Sequence, residues 1–586
     1  MAYRFLLTLL ILWAATASAQ THRWNVAEAG AIGDGAMDCT AIFQQQMDAC
    51  GAAGGGVVEV PAGRYRINGT LSIPANVTLQ GVYRVPPTIQ RDSTGAISGS
   101  VLLAYAGRGK PDGPPFIRLA GNNSSIAGLV IIYPEWNQKD VPPIPYPPCI
   151  FSTGTENVGV RDCLLLNPYE GIKFVLAHRH IVRNVTGYPI KRGIYVDECY
   201  DIGHIENVHF WPFGVLYDPN DPYCKWINLN GIAFELARTD WHYVFNTFCF
   251  GYGIGYYFSQ SKAGGTNGNF LGIGADSCQR AVVVDQAQPP GILITNGEFV
   301  GRWSSTDSVC FEVGPKMEGK VSLVNCSFWG PIDRCVWMRA PAGQFTASAC
   351  NFVHWDVGGK GAPAIDIAAG RAIIQASTFM QEGTQIQVAA GVRSALIHAN
   401  QAIGGLNVRN AAGARTVMTG NQVASRVWTS RARDHYQLIV GQSGDQSFLR
   451  GFHGQERLPE QGKMATFRWT TGNAEMVLPV NRGKAYTLEV SLVVPQHALT
   501  RDSGLYVGSR LVAPISREGA QTLRAAIPPQ AADRVVVSIR CQGWQPIKHN
   551  PGSQDPRTLG VQFRRVMMRA AGADPKSTPF RANAED

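Results

Sequence analysis

Between about residue 120 and residue 425 the apolar positions fall in short runs separated by Gly, Asn and Pro, and almost none of the stretch carries a helical period. Six runs align on one column: RHIVRNVTGYPIKRGIYV, GHIENVHFWPFGVLY, HYVFNTFCFGYGIGYY, ILITNGEFVG, KVSLVNCSFWGPIDRCVW and FTASACNFVHW. In most of them Asn, a small residue and an aromatic recur at fixed offsets, and the Asn column holds Asn184, Asn207, Asn246, Asn296 and Asn325. Strands alone, repeating every twenty to thirty-odd residues, predict a β-solenoid in which like side chains stack coil over coil. Stacked Asn amides can hydrogen-bond to one another at a bend, so the column is read as structural.

The column also sorts the faces. Two positions before it stand Val182, Ile205, Val244, Ile294 and Leu323, and three positions after it Phe210, Cys249, Phe299 and Phe328; these are read as interior. Alternation then turns positions two and four after the column outward. Position two carries Thr186, His209, Phe248, Gly274, Glu298 and Ser327. Position four carries Tyr188, Trp211, Phe250, Asp276, Val300 and Trp329, with Gly272 in the Asn column of the coil LGIGADSC.

A solenoid needs its open end covered. The one amphipathic stretch, Thr40–Cys50, predicts a capping helix with Ile42, Met47 and Ala49 against the first coil. Around it, AGAIGDGAMDCTAIFQQQMDACGAAGGGVVEVPAGRYRI followed by LSIPANVTLQG resembles the N-terminus of the pectate lyase superfamily, the polygalacturonase-like and rhamnogalacturonase-like right-handed parallel β-helix proteins. The resemblance, with the coils, covers about residues 25–425 and implies a right-handed β-helix that acts on or binds complex carbohydrate. The Asn-Thr-Asp, Asp-Asp, Gly-His-Gly and Arg-Ile-Lys motifs of polygalacturonases are absent, so their catalytic residues are not carried over.

The outward face offers aromatics, carboxylates and a His. Such a face either packs beneath a long loop or binds sugar, whose C–H surfaces stack on rings while polar neighbours fix the hydroxyls. Tyr188, Trp211, His209, Phe250, Trp241 and Arg183 are therefore candidate substrate contacts. The loops 134–148 and 218–230 could wall a cleft. Asp276 and Glu298 fall on neighbouring coils two residues out of step, roughly 8 Å apart along the diagonal. That spacing suits the carboxyl pair of an inverting glycosidase, with Phe250 able to keep one acid protonated by desolvation. Asp240 and Glu206 are second candidates and Asp197 a third, while Arg183 and Glu206 can equally form a surface ion pair.

Composition adds boundaries. The first nineteen residues read as a secretory signal peptide with cleavage before Gln20, which predicts a secreted or periplasmic protein, and no later stretch is long enough to be an integral membrane segment. The net charge of +9 is not spread along the chain: residues 20–429 hold 30 basic and 30 acidic residues, residues 430–586 hold 21 and 13. A solvated basic surface is the plain reading, and no nucleic-acid partner is expected. Most of the 13 Cys sit singly in strand-like runs, as small buried hydrophobes do, and no zinc spacing occurs. After about residue 428 longer alternating strands such as KAYTLEVSLVVP and DRVVVSIRCQGW predict a small antiparallel β-sandwich over 429–572, with 573–586 a loose tail. Trp469 and Trp544 are its candidate contacts.

The fold class is thus all-β: a parallel β-helix over 20–428 with a helical cap, then a sandwich. The leading functional expectation is a glycoside hydrolase cleaving a polysaccharide or oligosaccharide with two carboxylates and no cofactor. A polysaccharide lyase is the second reading, with Arg183, Lys191 or Arg192 as basic residues and calcium as an optional cofactor. A non-catalytic glycan-binding or surface β-helix protein is the third.

Overall fold

The computed structural model describes residues 23–84, 96–303, 305–424, 432–442, 445, 448–460, 463–550, 552–553, 555–574 and 576–582. The expected signal peptide lies outside these residues, and so does most of the expected junction around 428–429.

The coils form a right-handed parallel β-helix. Each coil supplies a strand to a 13-stranded parallel sheet, turns, and then supplies strand to a 25-stranded parallel sheet that is folded lengthwise along a bend. We call the 13-stranded sheet the first face, and the halves before and after the bend the second and third faces. In one coil these are Arg192–Asp197 for the first face and His204–Phe210, bent at Asn207, for the others.

The bend explains the Asn column. Its residues have left-handed φ, 55° at Asn184, 50° at Asn207 and Asn246, 57° at Asn296 and 52° at Asn325, with Gly272 at 63° in the same place. Asn tolerates this region because its short amide bonds locally. Asn207 Nδ2 donates to Asn184 Oδ1 at 2.9 Å, Asn246 to Asn207 at 3.2 Å and Asn325 to Asn296 at 2.8 Å. Ala349, Ala376 and Ala399 continue the column without the amides. A second ladder at the opposite corner, Asn123 on Asn76 at 2.8 Å and Asn157 on Asn123 at 3.0 Å, has too few members to stand out in the sequence.

The capping helix runs Thr40–Ala52, but Phe43, Met47 and Cys50 are its buried residues. Ile42 is only partly buried and Ala49 is exposed. The i, i+4, i+7 spacing of the buried three forms one stripe of a 3.6-residue helix, which Ile42 and Ala49 flank. A second helix, Pro222–Asn230, occupies what reads as a loop. Asp221 caps it, accepting from the Tyr223 and Cys224 amides at 3.0 and 3.1 Å, and Pro222 stands at its first turn. All thirteen Cys are unpaired thiols, twelve of them buried. Among the described residues no helix is long and apolar enough to cross a membrane.

After the coils come antiparallel strands arranged as a sandwich. Tyr486–Val494 pairs with Gly519–Ile527 and with Gln562–Ala570, and Lys463–Pro479 pairs with Arg534–Arg540. The segment expected as a loose tail is partly docked: Phe580–Arg581 pairs with Tyr436–Gln437, and Ser577 Oγ lies 2.7 Å from His435 Nδ1.

Candidate active sites on the outer faces of the coils

The third face gathers much of the expected site. Phe250 lies beside Asp276 in register, and Gly274 beside Glu298. Trp211 packs on Phe250 at 4.5 Å, and Tyr217 closes on Phe250 at 5.0 Å from the loop that leads into the second helix. Trp136, in the 134–148 loop, donates its indole N–H to Tyr223 Oη at 2.6 Å, so the two long loops brace each other beside this face. His209 is boxed by Phe248 at 4.9 Å, Phe213 at 6.0 Å and Trp211 at 6.4 Å; burial lowers its pKa, and its Nε2 has no hydrogen-bond partner.

Asp276 is the perturbed acid here. Burial pushes it up to about 6; bonds from Trp303 and the Ser277 amide oppose this, and the charge of Glu298 adds to it. Among the described residues its Oδ1 is buried without a hydrogen-bond partner. Glu298 is exposed and accepts from Trp329 Nε1 at 2.8 Å.

The other expected residues stand elsewhere. Tyr188 is fully buried and packs on Tyr252 at 5.3 Å. The strand before it ends at Gly187, where a Cβ would lie 2.1 Å from the Leu165 carbonyl oxygen, so alternation stops there and the chain turns inward. In the early coils the third face is itself covered, with Leu164 and Leu166 packed against Tyr83, Val101 and Leu103. Arg183 and Glu206 lie before the bend, on the second face, paired at 2.7 Å. Asp240 and Trp241 precede that face at the corner between it and the first. Burial would raise Asp240, but hydrogen bonds from Arg238, Gln288 and Asn267 outweigh it and hold its pKa down. Asp240 at the corner and Glu206 on the second face are thus ion-pair members away from Asp276.

The first face holds a constellation that the Asn-column reading missed. One outward column runs Phe151, Lys173, Tyr195, Glu235 and Tyr257. Successive members sit about 4.8 Å apart. Tyr195 Oη donates to Asp197 Oδ2 at 3.1 Å, and burial raises the Tyr195 pKa, with Asp197 adding to it. Arg192 Nε lies 3.1 Å from Glu235 Oε2 and its Nη1 4.0 Å from Glu170. Glu235 accepts from Ser259 Oγ at 2.9 Å, and its burial outweighs Arg192 and raises its pKa. Among the described residues Lys173 has no hydrogen-bond or ion-pair partner. A sequence signal for this column exists: GIYVD, GIAFEL and GIGYYF each follow a third-face strand and place one variable residue between buried apolar ones. Lys191 bonds the Asn230 carbonyl at 2.8 Å and is occupied there. Among the described residues no group of three His, Cys, Asp or Glu side chains is placed to hold a metal ion, so the calcium of the lyase reading has no such donor set.

Residues 23–124 match the family described as rhamnogalacturonase A/epimerase, pectate lyase-like. The coiled domain is related to the pectate-lyase-like superfamily of right-handed β-helix proteins. Mannuronan C5-epimerase AlgE3 of Azotobacter vinelandii is 36% identical over 116 residues, 18% of this chain and 6% of that protein. AlgE4 of the same organism is 35% identical over 116 residues, 18% of this chain and 21% of its own length. The matched region therefore spans a small part of these relatives. The A-module of Azotobacter vinelandii AlgE6 aligns with a TM-score of 0.42 at 15% identity, covering 69% of this chain and 100% of that one.

Proposed function

We propose that the protein is an exported carbohydrate-active enzyme that works on a uronic-acid polysaccharide, at the carbon bearing the carboxylate. The observation that carries this is Lys173, a cation without a partner among the described residues, next in column to Tyr195 and its Asp197. Loss of the proton beside a carboxylate builds charge on that carboxylate, and a fixed cation stabilises it. Lys173 would hold the uronate, assisted by Arg192, which Glu235 and Glu170 orient. Tyr195 would accept that proton as its own passes along the hydrogen bond to Asp197, and solvent on the opposite side would supply the returning proton. Reprotonation from the other side inverts the carbon, which is epimerisation; loss of the neighbouring glycosidic oxygen is the lyase outcome. The similarity to mannuronan C5-epimerases supports this substrate class.

Hydrolysis is a second reading, favoured by one observation: the half-buried Asp276, pushed up to about 6, one coil from Glu298. An acid so placed can protonate a leaving oxygen at neutral pH.

The test is incubation in D2O with mannuronan, polygalacturonate and a neutral glucan, following carbon-bound deuterium, unsaturated ends and reducing ends. Carbon-bound deuterium or unsaturation supports the first reading. New reducing ends with neither would overturn it in favour of hydrolysis. Retention of a glycan with no chemistry would leave a binding protein.

A further inference from the structure

The corner between the first and second faces carries exposed rings that neither reading above uses. Trp241 is 60% exposed, and its φ is 51°. A bulky residue rarely adopts that conformation, so the surroundings must hold it there. Two bonds fix it: its amide donates to Asn267 Oδ1 at 2.9 Å, and its indole N–H to Tyr243 Oη at 2.8 Å. Tyr243 in turn stacks on His204 of the neighbouring coil at 5.3 Å and 18°. Tyr200, 44% exposed, follows Cys199, which bridges to Thr239 just before Asp240 and Trp241 on the next coil. The Arg238 guanidinium lies 5.3 Å from the Tyr200 ring.

Polar atoms flank each ring. Asp240, Asn267 and Gln288 form one hydrogen-bonded group beside Trp241, and Glu198 accepts from Tyr200 Oη at 3.1 Å. A pyranose presents a C–H face ringed by hydroxyls, and fixed rings edged by carboxylates and amides satisfy both parts at once. The corner is also continuous with the first-face column. Asp197, which holds the Tyr195 hydroxyl, accepts the Arg238 amide at 3.0 Å. A chain lying along the Tyr195 strand and past Asp197 therefore runs onto Tyr200, with Trp241 beside it on the next coil.

We propose that Tyr200, Trp241 and Tyr243 form an auxiliary platform for a polysaccharide chain, outside the reacting site. The identity of the polymer rests on the reading above; the existence of the platform does not. The experiment is native affinity electrophoresis in gels containing mannuronan, polygalacturonate or neutral glucan, on the wild type and on Trp241→Ala, Tyr200→Ala and Trp241→Phe. At least one polymer should retard the wild type. Trp241→Ala and Tyr200→Ala should weaken that retention about 3–10-fold, the worth of one ring contact. Trp241→Phe should restore most of it. On a polymer that is turned over, KM should rise by the same factor in Trp241→Ala at unchanged kcat, with short oligosaccharides unaffected. If nothing is turned over yet Trp241→Ala still abolishes retention, the platform stands and only the proposed chemistry falls. Unchanged retention in both alanine variants, or no retention of the wild type, overturns the platform. So does sedimentation showing a wild-type dimer that Trp241→Ala dissociates, since the corner would then be a subunit contact.

Discussion

His180 and His242 meet inside the coils with ring centroids 5.2 Å apart, both fully buried. They lie on coils either side of Gly203, where a Cβ would stand 2.4 Å from the Cε1 of each, so the glycine supplies the room the rings fill. His180 donates through Nδ1 to the Ala177 carbonyl at 2.7 Å, while its Nε2 and both nitrogens of His242 have no hydrogen-bond partner among the described residues. Burial lowers both pKa values, His180 to about 4, with His204 and the other imidazoles adding to the effect.

The sign of the consequence follows. The folded pKa lies below the unfolded value of 6.5, so the unfolded chain takes up protons first as pH falls. Stability is full above about 6.5 and drains between there and about 4, by about 3 kcal/mol for His180 alone. Urea unfolding at neutral pH and at pH about 4.5 should show the wild type losing more than His180→Gln over this window. Equal losses would mean that the histidine titrates as it does in water.

Asp276 runs the other way. Its folded pKa is raised from 3.8 to about 6, so the folded state binds the proton more tightly and stability falls as pH rises through that window. Asp276→Asn removes the cost of the buried charge. The variant should match the wild type below the unfolded pKa and exceed it by about 1–2 kcal/mol above pH about 6, after allowing for partial solvent screening. Thermal melts across pH would check this, and a variant less stable at neutral pH would contradict it.

The bend ladder gives a third expectation. Asn207 both donates to Asn184 and accepts from Asn246. Asn207→Ala keeps the backbone conformation that Ala349 and Ala376 already adopt, but loses the amide bonds. Denaturant unfolding should show a loss of about 1–2 kcal/mol. Asn207→Gly, which relieves the left-handed strain, should lose less in the folded state, as Gly272 stands in the same column. A larger loss for Gly than for Ala would show that unfolded-chain entropy outweighs that strain.

What the sequence made legible was periodic. Asn184 through Asn325 could be aligned because a bend needing left-handed φ admits few residue types, and that column fixed the interior and the Asp276–Glu298 neighbourhood. The first-face column could not be aligned in the same way. Lys173, Tyr195, Glu235 and Tyr257 share an outward position, where identity is free to vary, and their strands are joined to the others by loops of unequal length. Tyr188 was misplaced because alternation ends with the strand, at Gly187. The second helix was missed because nine residues are too few to show a period, although Asp221-Pro222 is a helix start.

The first and third faces make opposite demands on the same set of variants. On the first face, Lys173→Ala removes the charge that would steady the developing carboxylate, and Tyr195→Phe removes the hydroxyl while keeping the ring. Each should cost about 10²–10⁴ in kcat. Tyr195→Phe also strips Asp197 of the 3.1 Å hydrogen bond, so Asp197→Asn is needed beside it: a smaller loss there marks Asp197 as a positioning residue. On the third face, Asp276→Asn and Glu298→Gln lie on a separate surface and should leave kcat within a few-fold. Their retention with loss in Lys173→Ala would assign the chemistry to the first face. The reverse pattern, a collapse in Asp276→Asn and Glu298→Gln with Lys173→Ala active, would move it to the third. In that case the acidic pKa of about 6 at Asp276 should appear as the descending limb of the pH–rate profile, because the general acid must be protonated to act.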